Sequence, residues 1–94
     1  MKITFDPAKQ ATNLAKHELD LADADKVFAE LQATIEDLRV EYGERRYISA
    51  GHLNGRMVVM VWTPRDNARH IISLRYCHAK EQERWQRFRR PWAW

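Results

Sequence analysis

Residues 69–85 read RHIISLRYCHAKEQERW, with Arg69, His70, Ser73, Arg75 and His78 threaded among the apolar Ile71, Ile72 and Leu74. Such a density of cationic and proton-exchanging groups on a strand-like segment suits the metal-free cleavage of RNA. In that reaction a 2′-hydroxyl attacks its own neighbouring phosphate, so the catalyst aligns the attack, stabilises charge on phosphoryl oxygens and moves two protons. Arginine fits the charge task because its planar fork matches phosphate oxygens and stays protonated. Histidine fits the proton task because its ordinary pKa lies near ~6.5. Arg46, Arg65, Arg69, Arg75, His70 and His78 fall on strand ends and turns of one expected sheet, and Tyr47 and Trp62 are placed to stack bases.

Each group has a plainer role beside this one. Arg46 and Arg65 can pair with the acidic helices, Tyr47 and Trp62 form a favourable cross-strand pair, and His70 lies between apolar neighbours as a structural histidine would. Lys80, Arg84, Arg87, Arg89 and Arg90 fit a solvated helix face. His17, His52, His70, His78 and Cys77 are the candidate metal ligands, but none has a recurrent zinc spacing, so neither a metal nor a cofactor is expected. A Gly-rich phosphate loop and a nucleophile elbow are both absent, and Ser73 has no oxyanion motif beside it.

The 94 residues fit one domain, 1–94, that buries about 60–65% of its extended-chain surface. No apolar run exceeds Met57–Trp62, and the opening MKITFDPAKQ lacks the apolar stretch of a signal peptide. With Cys77 as the single cysteine, the expected location is the cytoplasm. The net charge of +3 is unevenly distributed: residues 1–44 hold five Lys/Arg against ten Asp/Glu, and residues 64–94 hold eight against three. An acidic front and a basic back predict one surface reserved for a polyanion.

The elements that position these groups follow in order. KITF (2–5) reads as a strand, and Asp6-Pro7 opens a helix that carries Ala8, Ala11, Leu14 and Ala15 inward and ends near His17. Asp20 caps a second helix on which Leu21, Ala24, Val27, Phe28 and Leu31 recur at helical period. TIED (34–37) is a short strand or an extended connection. Asn54-Gly55 predicts a two-residue hairpin pairing Leu53 with Arg56, Ala50 with Val59, Ile48 with Val61, Tyr47 with Trp62 and Arg46 with Thr63. After a turn at PRDN (64–67), a strand over about 69–76 places Arg69, Ile71, Ser73 and Arg75 on one face and His70, Ile72, Leu74 and Tyr76 on the other. A basic helix, roughly 78–89, follows with Ala79, Trp85 and Phe88 as anchors. The class is α+β, with helices packed on a small antiparallel sheet.

Three segments in order resemble the BrnT family of toxins of type II toxin–antitoxin systems. They are FDPAKQATNLAKHELDLADADKVF (5–28), GERRYISAG (43–51) and VVMVWTPRDNARHIISLR (58–75), followed by Glu81 in the closing helix. The resemblance covers roughly residues 4–86 and implies a RelE-like β-α-α-β-β-β-α ribonuclease fold with two N-terminal helices. It also implies a toxin that degrades RNA and arrests growth, with a ribbon-helix-helix (BrnA-like) antitoxin that blocks it and binds the shared promoter DNA. By position, Lys9, Asn13, Lys16 and His17 belong to the opening motif, and Arg46, Thr63, Arg65, Ser73, Arg75 and Glu81 to the later ones. Glu18 stands where the family usually has glycine, His70 where arginine is usual, Leu74 and Cys77 where alanines are, and His78 where threonine is.

The expected catalytic set is Arg46, Arg65, His70 and Arg75, with His17 as the other proton-transfer candidate. RNA contacts are expected from Lys9, Lys16, His17, Tyr47, Thr63, Arg69, Ser73 and His78. A toxin-fold protein that binds nucleic acid or antitoxin without catalysis is the alternative, and a free-standing DNA- or RNA-binding module is a third reading.

Overall fold

The computed structural model describes residues 2–89, with side chains through Arg87; the expectations placed on the side chains of Phe88, Arg89 and Arg90 lie outside the described residues. The strands are β1 (Lys2–Phe5), β2 (Leu31–Glu36), β3 (Tyr47–Leu53), β4 (Arg56–Arg65) and β5 (Ala68–Tyr76), and the helices are α1 (Pro7–His17), α2 (Ala24–Ala29) and α3 (Ala79–Arg89). They form one five-stranded sheet in the order β1-β5-β4-β3-β2. β1 runs parallel to β5 and every other pair is antiparallel, so the sheet is mixed.

The Asn54-Gly55 hairpin has the expected register from Tyr47↔Trp62 to Leu53↔Arg56, with both turn residues at positive φ. One difference lies at its open end. β3 begins at Tyr47, so Arg46 does not pair with Thr63; Thr63 instead donates from its hydroxyl to the Arg45 carbonyl at 2.6 Å. The next turn is tighter than PRDN suggests. β4 runs through Pro64 to Arg65, Arg65 pairs with Ala68, and Asp66 and Asn67 alone make the reversal at φ 49° and 62°. Both residue types tolerate the left-handed region, and Pro64 lies beyond the last β3–β4 pair, where no β3 carbonyl needs its missing N–H.

β5 departs from simple alternation. Trp62 pairs with Ile71 and Val61 with Ser73, so Ile72 is an extra residue and the strand bulges there. Ile71 and Leu74 consequently enter the same core, although alternation assigned them to opposite faces. Cross-strand partners share a face, so His70, Ser73 and Arg75 follow Thr63, Val61 and Val59 onto one side of the sheet, and Arg69 turns to the other.

Each face carries a core. Leu19, Leu21, Ala24, Val27, Leu53, Val58, Met60, Ile71 and Leu74 fill the face under α1 and α2, and Ala50, Met57, Val59, Cys77 and Trp85 fill the face under α3. Gly51 lets α2 approach β3: a Cβ there would lie 2.8 Å from the Glu30 carbonyl oxygen and 2.9 Å from Val27. Trp85 anchors α3 as expected, but Ala79 is exposed.

The N-terminal helices show two further corrections. Asp20 caps as expected, but it starts a 3-10 turn over Leu21–Asp23, and α2 ends at Ala29 because Leu31 is captured into β2 by pairing with Gly51. α1 is reversed in orientation. Ala8, Ala11, Leu14 and Ala15 face solvent, and the side chain it buries is Asn13. The Asn13 amide donates to the carbonyls of Leu19 and Leu74, both at 2.8 Å, and its oxygen accepts the Leu74 N–H at 3.1 Å. β1 stops opposite Ile71, so Asn13 satisfies the β5 edge where the neighbouring strand has ended.

Two stability outcomes follow from these contacts. Asn13→Ala leaves three buried backbone groups without partners and is expected to cost about 3 kcal/mol in chemical denaturation; a loss below about 1 kcal/mol would show that water replaces the amide. Glu18, the C-cap of α1, sits at φ 61° with its N–H on the Leu14 carbonyl at 2.9 Å. Relief of the left-handed strain makes Glu18→Gly stabilising by about 1 kcal/mol, read as a higher melting temperature.

Candidate functional site

The face shared by His70, Ser73 and Arg75 holds a groove of about 510 Å³. Ile35, Ile48, Val59 and Val61 make its floor, Trp85 of α3 closes one wall, and Arg39, Arg75 and Arg84 supply its positive charge. At its centre Arg75 meets Glu81 in a two-pronged ion pair, Nη1 to Oε1 at 2.8 Å and Nη2 to Oε2 at 2.7 Å. This bond holds the Glu81 carboxyl at about 2, well below its ordinary 4.5, and raises the Arg75 pKa. Glu81 also accepts the His78 N–H at 3.3 Å, as the fourth residue of a capping box does at a helix start. Arg39 is fixed in the same way by buried Asp37, at 2.8 Å through both Nε and Nη2. Burial pushes the Cys77 thiol beneath this site up to about 12, which removes it as a nucleophile.

A second group lies at the far end of the same face. Glu44 accepts from Arg46 at 3.4 Å and from Arg65 at 3.2 and 3.3 Å. These arginines pair with a loop carboxylate rather than with the acidic helices. His70 is half-buried, and its Nδ1 lies 2.9 Å from the Thr4 hydroxyl of β1. Burial first and the Arg65 charge second lower its pKa.

The expected catalytic set is therefore divided: Arg46, Arg65 and His70 come together, and Arg75 stands apart in the groove. His17 is half-buried on α1, four residues beyond Asn13 and so on the helix face that meets β5; it is not among the residues that line the groove. Its pKa is lowered by burial, then by Lys16 and Arg75. Ser73 lines the groove and buried Thr63 lies between the two groups. Lys9 and Lys16 are exposed along α1, and His78 is exposed at the start of α3. Tyr47 and Arg69 lie on the opposite face, where Tyr47 stacks on Trp62.

Sequence reasoning left Arg39, Arg84, Glu44 and the structural use of Glu81 out of the site. Only Glu81 had a readable signal, its spacing of three from His78 at the opening of a helix. Glu44 joins Arg46, two residues away, to Arg65, 21 residues away, and Arg75 meets Glu81 across a strand end and a turn, groupings that no local pattern marks.

Fold and site together define an α+β protein with a cationic, partly apolar sheet face suited to an anionic polymer. The family of the ribonuclease toxin BrnT, of type II toxin–antitoxin systems, matches residues 5–81, and the chain belongs to that family. No curated protein matches the chain. Membership implies an antitoxin partner and an RNA substrate.

The Arg75–Glu81 pair makes stability acid-sensitive in a defined direction. The folded carboxyl titrates at about 2 and the unfolded one near 4.5, so its contribution is complete above about 4.5 and is lost as pH falls towards 2. Unfolding free energy measured across that window should fall more steeply for the natural chain than for Glu81→Gln. Parallel curves would mean that the pair is not maintained in solution.

Proposed function

We propose that this chain is a metal-independent endoribonuclease with a RelE-like arrangement of two N-terminal helices on the sheet. It degrades RNA in the cytoplasm, inhibits translation, arrests growth and is neutralised by a ribbon-helix-helix antitoxin whose complex binds promoter DNA. The observation that supports this most is the groove itself, where three arginines and a single carboxylate, Glu81, surround an apolar floor. Arg75 there is held in a fixed orientation by Glu81 and by the Tyr76 carbonyl, so its remaining N–H groups are aimed before a phosphate arrives. His17, with its lowered pKa, is neutral at neutral pH and can accept the 2′-hydroxyl proton. His70 at the other end of the face serves as the alternative proton-transfer group, with Arg46 and Arg65 beside it.

A second reading, binding without catalysis, rests on one specific feature: Arg46, Arg65 and Arg75 each already engage a carboxylate. Cleavage of RNA in excess chelator separates the two. The double variant Arg75→Ala/Glu81→Ala, which leaves no orphaned carboxylate, is expected to lower kcat/KM by about a hundredfold or more while remaining folded. The rate should rise with pH through a value below 6.5 and be level at neutrality if His17 is the base, and His17→Gln should abolish that rise. Intact RNA with the natural chain, or cleavage unaffected by the double variant, would sink the catalytic assignment to the groove.

A further inference from the structure

Of the three half-buried arginines among the described residues, Arg46 and Arg75 have carboxylate partners and Arg69 has none. The Arg69 guanidinium lies 4.0 Å from the Phe28 ring centre and 5.4 Å from that of Trp62, and its Nε is buried without a hydrogen-bond partner. Aromatic faces fix its position but satisfy none of its N–H groups. A half-buried guanidinium held in this way without a carboxylate partner offers its charge and its outer Nη donors to an anion, while the buried Nε stays covered by the rings.

The surroundings narrow the class of anion. Trp62 is locked in place, because its Nε1–H donates to Ser49 Oγ at 2.9 Å and Ser49 Oγ meets Thr34 Oγ1 at 2.7 Å. Phe28 meets Trp62 edge-on at 5.4 Å. Tyr47 stacks on Trp62 at 4.9 Å and 28° and remains half-exposed. A fixed cation next to a rigid, partly open aromatic pair matches a phosphate with a flanking base better than it matches a lone carboxylate.

We propose that Arg69, with Tyr47 and Trp62, forms a second RNA subsite on the sheet face opposite the cleavage groove. It binds a phosphodiester of the single strand and stacks a neighbouring base. This rests on RNA being the substrate, as proposed above. Arg69 and His70 are consecutive residues facing opposite sides near the same end of β5, beside Arg65. A strand leaving the groove past Arg65 and His70 therefore reaches Arg69 by turning around that end of the sheet. The subsite contributes affinity and length preference rather than bond cleavage.

The test is fluorescence anisotropy with two single-stranded RNAs of about four and about ten nucleotides, each 2′-methoxylated so that it cannot be cleaved. Arg69→Gln is expected to weaken binding of the longer RNA about tenfold and to reduce its log–log salt slope by about 0.7. The shorter RNA should bind unchanged. Arg69→Lys, which keeps the charge but not the planar stacking, and Tyr47→Ala, which removes the outer ring, provide independent readings if the glutamine variant fails to fold. Unaltered affinity and salt slope in folded variants would overturn the subsite and leave the groove assignment standing; the anion would then be a carboxylate of a protein partner. Failure of the natural chain to bind either RNA would overturn both proposals.

Discussion

The extra residue in β5 is the constraint on which both faces of this protein depend. A five-stranded sheet covered on both sides requires each strand to present the right side chains to two cores, and β5 contains Ile71 and Leu74 three residues apart. Strict alternation would place one of them in the wrong layer. The bulge at Ile72 sends both into the core beneath α1 and α2 and brings His70 onto the face of Ser73 and Arg75. A bulge also breaks regular edge pairing, and β1 ends just before it. Asn13 supplies the missing partners at Leu74, so α1 packs through a polar clamp while its alanines face solvent.

Carboxylates then determine how the cations are displayed. Asp37, Glu44 and Glu81 each hold at least one arginine. Surface pairs of this kind add little to stability, and their larger effect is to orient. A guanidinium has five N–H donors, and a carboxylate that takes two leaves the rest in a fixed fan. Glu81 is the most consequential of the three because it lies 14% exposed in the groove and titrates far below neutrality. Arg75 therefore remains both charged and directed. Bringing a phosphate to it means adding a second anion beside Glu81, which favours a ligand that reaches additional protein cations such as Arg39 and Arg84.

Features encoded by neighbouring residues were legible from sequence. The Asn54-Gly55 hairpin, its register, the caps at Asp6 and Asp20 and the end of α1 at His17 each depend on a few adjacent positions. The errors occur where distant partners decide. The helical period from Leu21 to Leu31 was overridden by pairing of Leu31 with Gly51, and the apolar stripe of α1 was overridden by the demand of the β5 edge for Asn13. For the site, the residue types were legible and their grouping was not. A one-residue bulge leaves no clear mark in the sequence, yet it puts His70 rather than Arg69 on the side of the sheet that carries Ser73 and Arg75.

The dimensions of α3 explain why a covered sheet still offers a binding face. Eleven helical residues span about 16 Å, whereas the ten residues of β4 extend about 33 Å. Whatever its direction, the described part of α3 covers only part of the face it packs on. Its contact is made by Trp85 over a floor of small or slender side chains, Ala50, Val59 and Cys77. The remainder contains the half-exposed Val61, Ser73 and His70 along β4 and β5, with Thr63 buried among them against the Arg45 carbonyl. Bulkier residues at Ala50 and Val59 would extend the core at the expense of the groove. The small side chains beneath Trp85 thus leave room for a ligand on a sheet whose hydrogen-bonded strands keep the cationic side chains in register.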